Sequence, residues 1–218
     1  MQIKVLKDIM AANTITAEAN SERLDNQGIL GLNVMASPGS GKTTFILRTI
    51  DSLGQDIKAG VIEGDLASSV DAEKVAQKGA PVVQINTGGG CHLDANQISA
   101  ALDNLPLPEL DVIFIENVGN LVCPSEFKLG EHQRVVILSV PEGDDKPYKY
   151  PGMFATADVI IVSKIDILPY FDFDLQKFEK AVAGLNPDVS VIPLSALTGE
   201  GFDVWTDWLK SQSASRKQ

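Results

Sequence analysis

Short apolar runs alternate with helical repeats along this chain. The runs ILGLNVMA, IKAGVIEGD, PVVQIN, LDVIFIEN, RVVILSV, DVIIVSK and VSVIPLS are rich in Val and Ile, as strands buried on both faces must be. Between most of them lie amphipathic segments: KTTFILRTIDSL, VDAEKVAQKG, LDANQISAALDNL and FDLQKFEKAVAGL. The alternation predicts right-handed βαβ crossovers, hence an α/β fold with a mostly parallel β-sheet and helices on both faces. Residues 1–28 read as an N-terminal helical arm, 29–211 as the α/β domain, and 212–218 as a polar, frayed C-terminal tail. There are no internal repeats and no low-complexity linker.

Composition narrows the function classes. A chain of 218 residues that is 44% hydrophobic can bury a sizeable core within one compact domain. Its 29 acidic residues against 18 basic ones give a net charge of −11, which opposes a phosphate backbone or an anionic membrane surface. Neither nucleic acid nor membrane is expected as a partner. The opening MQIKVLKDIMAANTITAEANSERL lacks an apolar core of signal-peptide length, and no apolar run approaches the roughly 18 residues of a membrane span. A cytoplasmic protein is expected, whose two cysteines stay thiols.

The strongest motif follows the first apolar run. ASPGSGKTT fits the phosphate-binding pattern G-x-x-x-x-G-K-[ST], with Ala36 where the first glycine is usual. In such a loop, opened by Pro38, the backbone N–H groups of Gly39, Ser40, Gly41 and their neighbours cradle phosphates. Lys42 reaches the β- and γ-phosphates, Thr43 holds Mg²⁺, and Thr44 continues the helix whose positive end faces the anion. The bland alternative is a glycine-rich turn without a ligand. Further on, SKID places Lys164 and Asp166 in the spacing of a guanine-reading N-K-x-D motif, with Ser163 in the asparagine position. An aspartate there accepts two protons from guanine, and adenine offers no such pair. Ser195, Ala196 and Leu197 in SALTGEG supply a loop whose N–H groups face the guanine oxygen. Each of these two motifs alone also fits an ordinary strand-to-loop transition; in order behind a P-loop they point to GTP.

Acidic strand ends complete the phosphate chemistry. EGD brings Glu63 and Asp65, and ENVG brings Glu116 with Gly119, to the edge where open α/β sheets hold ligands. Lys42, Asp65 and Glu116 are the candidate catalytic groups, with Thr43, Asp65 and Glu116 around Mg²⁺, while Glu63 is as readily a capping residue. No catalytic glutamine or arginine finger is evident, so hydrolysis is expected on the order of 10⁻³ to 10⁻² per second without a stimulating partner. Cys91, His92 and Cys123 form a donor set suited to Zn²⁺ or Ni²⁺. Their spacing matches no zinc finger, and Cys123 as a buried small hydrophobe and His92 as a helix-capping loop residue stay open.

Taken together, SPGSGKTT, EGD, QINTGGGCHLDA, ENVGNLVCP, DDKPYKYPGMF, SKIDILP and SALTGEG resemble, in order and over nearly the whole chain, the hydrogenase nickel-incorporation GTPases of the HypB family. The pair CHLDA and ENVGNLVCP is the specific part. The resemblance implies a P-loop NTPase domain of the SIMIBI-type GTPase class over 29–211. It also implies a homodimer dependent on GTP and metal, with Cys91, His92 and Cys123 holding Ni²⁺ or Zn²⁺. It implies as partners a small zinc-containing protein of the HypA type and the large subunit of [NiFe]-hydrogenase. Lys149 in KPYKYP is then a candidate to reach nucleotide across the dimer. The chain departs from many members by lacking a cysteine motif or histidine tract before the P-loop, and by Lys128 and Ser163. Three readings compete with this one: a urease- or cobalamin-mutase-type GTPase, a small-molecule kinase, and a binding module with a structural metal and a vestigial nucleotide site.

Overall fold

The structure, a computed structural model, describes residues 5–66 and 69–217, with the backbone alone for residues 5–9. All seven apolar runs are strands: β1 Leu30–Ala36, β2 Ala59–Asp65, β3 Val82–Asn86, β4 Val112–Glu116, β5 Gln133–Ser139, β6 Val159–Ser163 and β7 Ser190–Leu194. They form one parallel sheet in the order β3-β2-β4-β1-β5-β6-β7. The order of connection reverses at β1, so a crevice opens beyond its C-terminal end.

The helices are α1 Val5–Asp25, α2 Lys42–Leu53, α3 Val70–Gln77, α4 Ala95–Leu102, α5 Lys146–Lys149, α6 Pro151–Ala155, α7 Leu175–Ala183 and α8 Phe202–Arg216. Alternate residues of each strand feed opposite layers. Leu30, Leu32 and Val34 of β1 pack with Phe45, Ile46, Trp205 and Leu209 of α2 and α8. On the other face Leu24, Ile98 and Leu102 of α1 and α4 cover Ile62, Ile113 and Ile115, while Phe154 and Phe178 of α6 and α7 cover Val136 and Ile160. The Trp205 indole N–H donates to the buried Thr49 hydroxyl at 2.9 Å, which satisfies the polar end of a fully buried ring.

Both expectations for the chain ends need correction. Helical as expected, α1 is no free arm: it lies on α4, with Leu24 buried and Arg23 bonded to Asp103. Its close seat requires Gly130, which has φ +102° and where a Cβ would stand 2.5 Å from the Asn20 Cβ. Residues 1–4 of the expected arm lie outside the described residues. At the other end α8 continues through Arg216. Ser213 is buried, Gln133 donates to Gln212, Arg216 pairs with Asp25 and Lys217 with Asp111. Polar composition predicts fraying, yet Gln212, Arg216 and Lys217 each find a partner outside the helix; residue 218 lies outside the described residues. Among the described residues no helix is long and apolar enough to cross a membrane.

Candidate nucleotide and metal sites

The sheet's C-terminal edge carries both candidate sites. Between β1 and α2 the loop turns through left-handed Gly39 and Gly41 and delivers Lys42 and Thr43 to the first turn of α2. A cavity of about 520 Å³ opens there, lined among others by Pro38, Gly39, Gly41, Lys42, Thr43, Thr44, Glu63, Asp65, Glu116, Gly119 and Lys164. Ser40, the remaining loop position, is buried beneath it. Gly119 presses on the loop itself: a Cβ at 119 would stand 2.9 Å from Pro38 N, so only glycine fits without moving the phosphate cradle.

Glu63 and Glu116 are cross-strand partners on β2 and β4, and both are buried. Thr43 Oγ1 donates to Glu116 Oε1 at 2.9 Å. Burial, then the neighbouring Glu116 carboxylate, pushes the Glu63 carboxyl up to about 10, so it holds a proton at neutral pH. Glu116 is raised as well, by burial, with Lys42 opposing. Glu63 lies inside β2 and caps no helix, since Ser69 precedes the first turn of α3. Among the described residues, the second oxygens of both carboxyls, Glu63 Oε2 and Glu116 Oε2, have no hydrogen-bond partner. Such orphaned buried acceptors beside a threonine hydroxyl fit a hard cation with oxygen ligands, and Thr43, Glu116 and Asp65 are the residues that would hold Mg²⁺. When bound, the ion draws charge from phosphate oxygens.

Beyond the loop, β6 and β7 shape a second, apolar hollow of about 310 Å³ between Phe45, Lys164, Asp166, Ile167 and the 194–197 segment. Lys164 adopts φ +62°, the one positive value on a non-glycine residue among those described, and its Nζ donates to Gly39 O at 2.8 Å. Its stem thus bridges cradle and hollow. Ser163, in place of the usual asparagine, donates through Oγ to Ser40 O at 2.9 Å and fastens β6 to the loop. Asp166 Oδ1 accepts the Ser195 hydroxyl at 2.5 Å. One detail departs from the sequence reading: the Ser195 N–H is taken by Glu200 O, which leaves Ala196 and Leu197 as the loop's free N–H donors. Lys149 is held by Asp145 on its own helix.

The metal candidates come together from two loops. Donor atoms of Cys91, His92 and Cys123 all lie within 4.8 Å of one another. Cys91 Sγ stands 3.5 Å from His92 Nδ1, and a hydrogen bond with the Cys123 thiol raises the Cys91 thiol above its ordinary range. The two bland readings fare poorly here. Asp94, through a capping box with Gln97, starts α4 instead of His92, and Cys123 is only half-buried.

Several residues around the triad escaped sequence reasoning. Phe127 stacks on the His92 ring at 3.9 Å between centroids, and Arg134 donates to Ser125 O and Phe127 O. Asn120 Nδ2 donates to Cys91 O. Buried Asn117, directly after Glu116, accepts the N–H of Leu93 next to His92 and donates to Asn33 on β1. The available signal was asparagine inside otherwise apolar strands, at Asn33 and at the end of LDVIFIEN.

A parallel sheet with a P-loop after β1, acidic ends on β2 and β4, and a Lys–Asp pair after β6 defines a P-loop protein of the SIMIBI GTPase class. The signal recognition particle receptor FtsY from Elizabethkingia anophelis in complex with GDP shares the fold, with a TM-score of 0.54 at 15% identity over 81% of this chain and 65% of that one. The chain belongs to the CobW/HypB/UreG family, whose nucleotide-binding domain matches residues 31–193. It is 46% identical over 210 residues to the hydrogenase maturation factor HypB of Escherichia coli K12, covering 96% of this chain and 72% of that protein. The crystal structure of HypB from Helicobacter pylori in complex with nickel superposes with a TM-score of 0.90 at 40% identity, covering 95% of this chain and 97% of that one.

Proposed function

We propose that this chain is a GTP-hydrolysing metallochaperone that binds Ni²⁺ or Zn²⁺ and assists the GTP-dependent insertion of nickel into [NiFe]-hydrogenase. The observation that carries the reading is the convergence of Cys91, His92 and Cys123 within 4.8 Å on the sheet edge that also bears the P-loop. Soft donors beside a phosphate cradle suit cargo handling governed by nucleotide state. In this reading Lys42 neutralises charge on the transferring phosphoryl group, Thr43, Asp65 and Glu116 would hold Mg²⁺, which would supply further positive charge there, and Asp166 selects guanine. The second oxygen-rich pair partner, Glu63, keeps its proton while the site is empty. In this reading intrinsic turnover is slow, on the order of 10⁻³ to 10⁻² per second, as none of the described residues lining the phosphate cavity is an arginine.

Three protein ligands leave a tetrahedral ion one short, so a homodimer or a water finishes the coordination. A small zinc protein of the HypA type and the hydrogenase large subunit are the partners of this cytoplasmic cycle. The test is a paired assay on the full chain: turnover of GTP and ATP, and titration of Ni²⁺ and Zn²⁺. GTP-selective turnover together with metal binding lost in a Cys91→Ala, Cys123→Ala double variant supports the proposal. Unchanged metal stoichiometry and affinity in that variant removes the cargo site, and equal use of ATP removes the GTPase assignment.

A further inference from the structure

The triad draws on two loops that are far apart in sequence, and one ion demands a narrow span between them. Two sulfurs on a single ion stand at most about 4.6 Å apart, twice a zinc–thiolate bond. What holds the loops at that span is visible just downstream of the ligands. Ala95 opens α4 three residues after His92, and Lys128 and Leu129 follow Cys123 by five and six. Helix α1 reaches both. Asn13 accepts the Ala95 N–H through Oδ1 at 2.9 Å, and its Nδ2 donates to Lys128 O at 2.9 Å. Two helical turns on, along the same face, Asn20 Nδ2 donates to Ala95 O at 2.8 Å and to Leu129 O at 2.9 Å.

These amides are 6% and 2% exposed. Apolar side chains would seat α1 with less desolvation. Four directional bonds, divided between the two loops, instead fix where one loop stands relative to the other. Gly130 lets α1 come close enough to make them. We propose that Asn13 and Asn20 are positioning residues of the metal triad: they bracket the Cys91–His92 loop and the Cys123 loop at the separation one soft divalent ion requires. This rests on reading the triad as a metal site.

The experiment titrates Ni²⁺, and separately Zn²⁺, into the unmodified chain and into Asn13→Ala and Asn20→Ala. Asn20→Ser, which keeps a small polar group, replaces the latter if it does not fold. Affinity should fall by about 10-fold, the lower end of the cost of losing a group bonded directly to a ligand, and the thiolate-to-nickel charge-transfer absorption should change. GTP affinity should stay within error. Arg23→Ala is the control: Arg23 pins the same helix to Asp103 and Leu102 O, at the far end of α4. It should lower the melting temperature while leaving metal affinity and spectrum as they were. Unaltered titrations in the asparagine variants overturn the proposal, as does an equal loss in Arg23→Ala, which would mean only that α1 must be docked. Metal binding that survives the Cys91→Ala, Cys123→Ala double substitution overturns the triad itself, and the bracket with it.

Discussion

Asp166 is gripped before any base arrives, because the Ser195 hydroxyl fixes one of its oxygens at 2.5 Å. A carboxylate fixed in direction discriminates by matched donors, so GTP should outcompete ATP by about 100-fold in a displacement assay. Asp166→Asn should erase most of that preference, and equal competition by ATP against the unmodified chain would end the guanine assignment. Glu63 gives a pH prediction. Its folded value is raised from 4.5 to about 10, so its contribution to stability is whole below the ordinary carboxylate range and is lost as pH rises toward 10. In nucleotide-free protein, melting temperature should therefore drop less between about pH 5 and about pH 9 in Glu63→Gln than in the unmodified chain. Parallel pH curves for the two would show that the proton is not held. His132, the other of the chain's two histidines, belongs to the framework. It accepts the Gly31 N–H at 2.9 Å and faces Asp25, and burial first lowers its basicity, so substituting it tests folding and makes a poor control for metal binding.

At the scale of elements, the strands were legible because burial on both faces leaves uninterrupted Val and Ile runs, and α2 was legible because the P-loop announces it. The seat of α1 was not. Its contacts run through Asn13, Asn20 and Gly130, whose sequence signature is that of any polar helix and loop. Likewise the triad could be named from residue type, while the groups that orient it, Phe127, Asn120 and Asn117, carry no spacing rule. Asn117 joins the strand end bearing Glu116 to the backbone beside His92, which shortens the route between nucleotide and metal. Ni²⁺ affinity measured with GDP and with a non-hydrolysable GTP analogue should differ by about 5-fold to 150-fold, a coupling of about 1–3 kcal/mol, and Ni²⁺ must alter nucleotide affinity equally. Asn117→Ala should narrow that gap. Identical Ni²⁺ affinities in the two nucleotide states would make the sites neighbours without a switch. Gly119→Ala is a blunter probe than its hinge position suggests, since the added methyl meets Pro38 and disturbs the cradle itself.

For the molecule as a whole, the outermost helices meet below the sheet, where Arg216 of α8 pairs with Asp25 of α1. Ion pairs this exposed contribute little each, but the turn that bears them also buries Ser213. Ending the chain after residue 211 should cost about 1 kcal/mol, lowering Tm by about 2–4 °C in a calorimetric scan. An unchanged Tm would return 212–218 to the status of a loose tail. Above the sheet the division of labour is lateral. The loops of the candidate metal site follow β3 and β4 on one side of β1, and the proposed base-reading segments follow β6 and β7 on the other. Substitutions that retune the cargo donors therefore need not touch base selection, and the reverse holds too. Under the proposed function, a scaffold divided in this way could be re-addressed to a different ion by exchanging donor side chains on one side, while base selection on the other side is inherited unchanged.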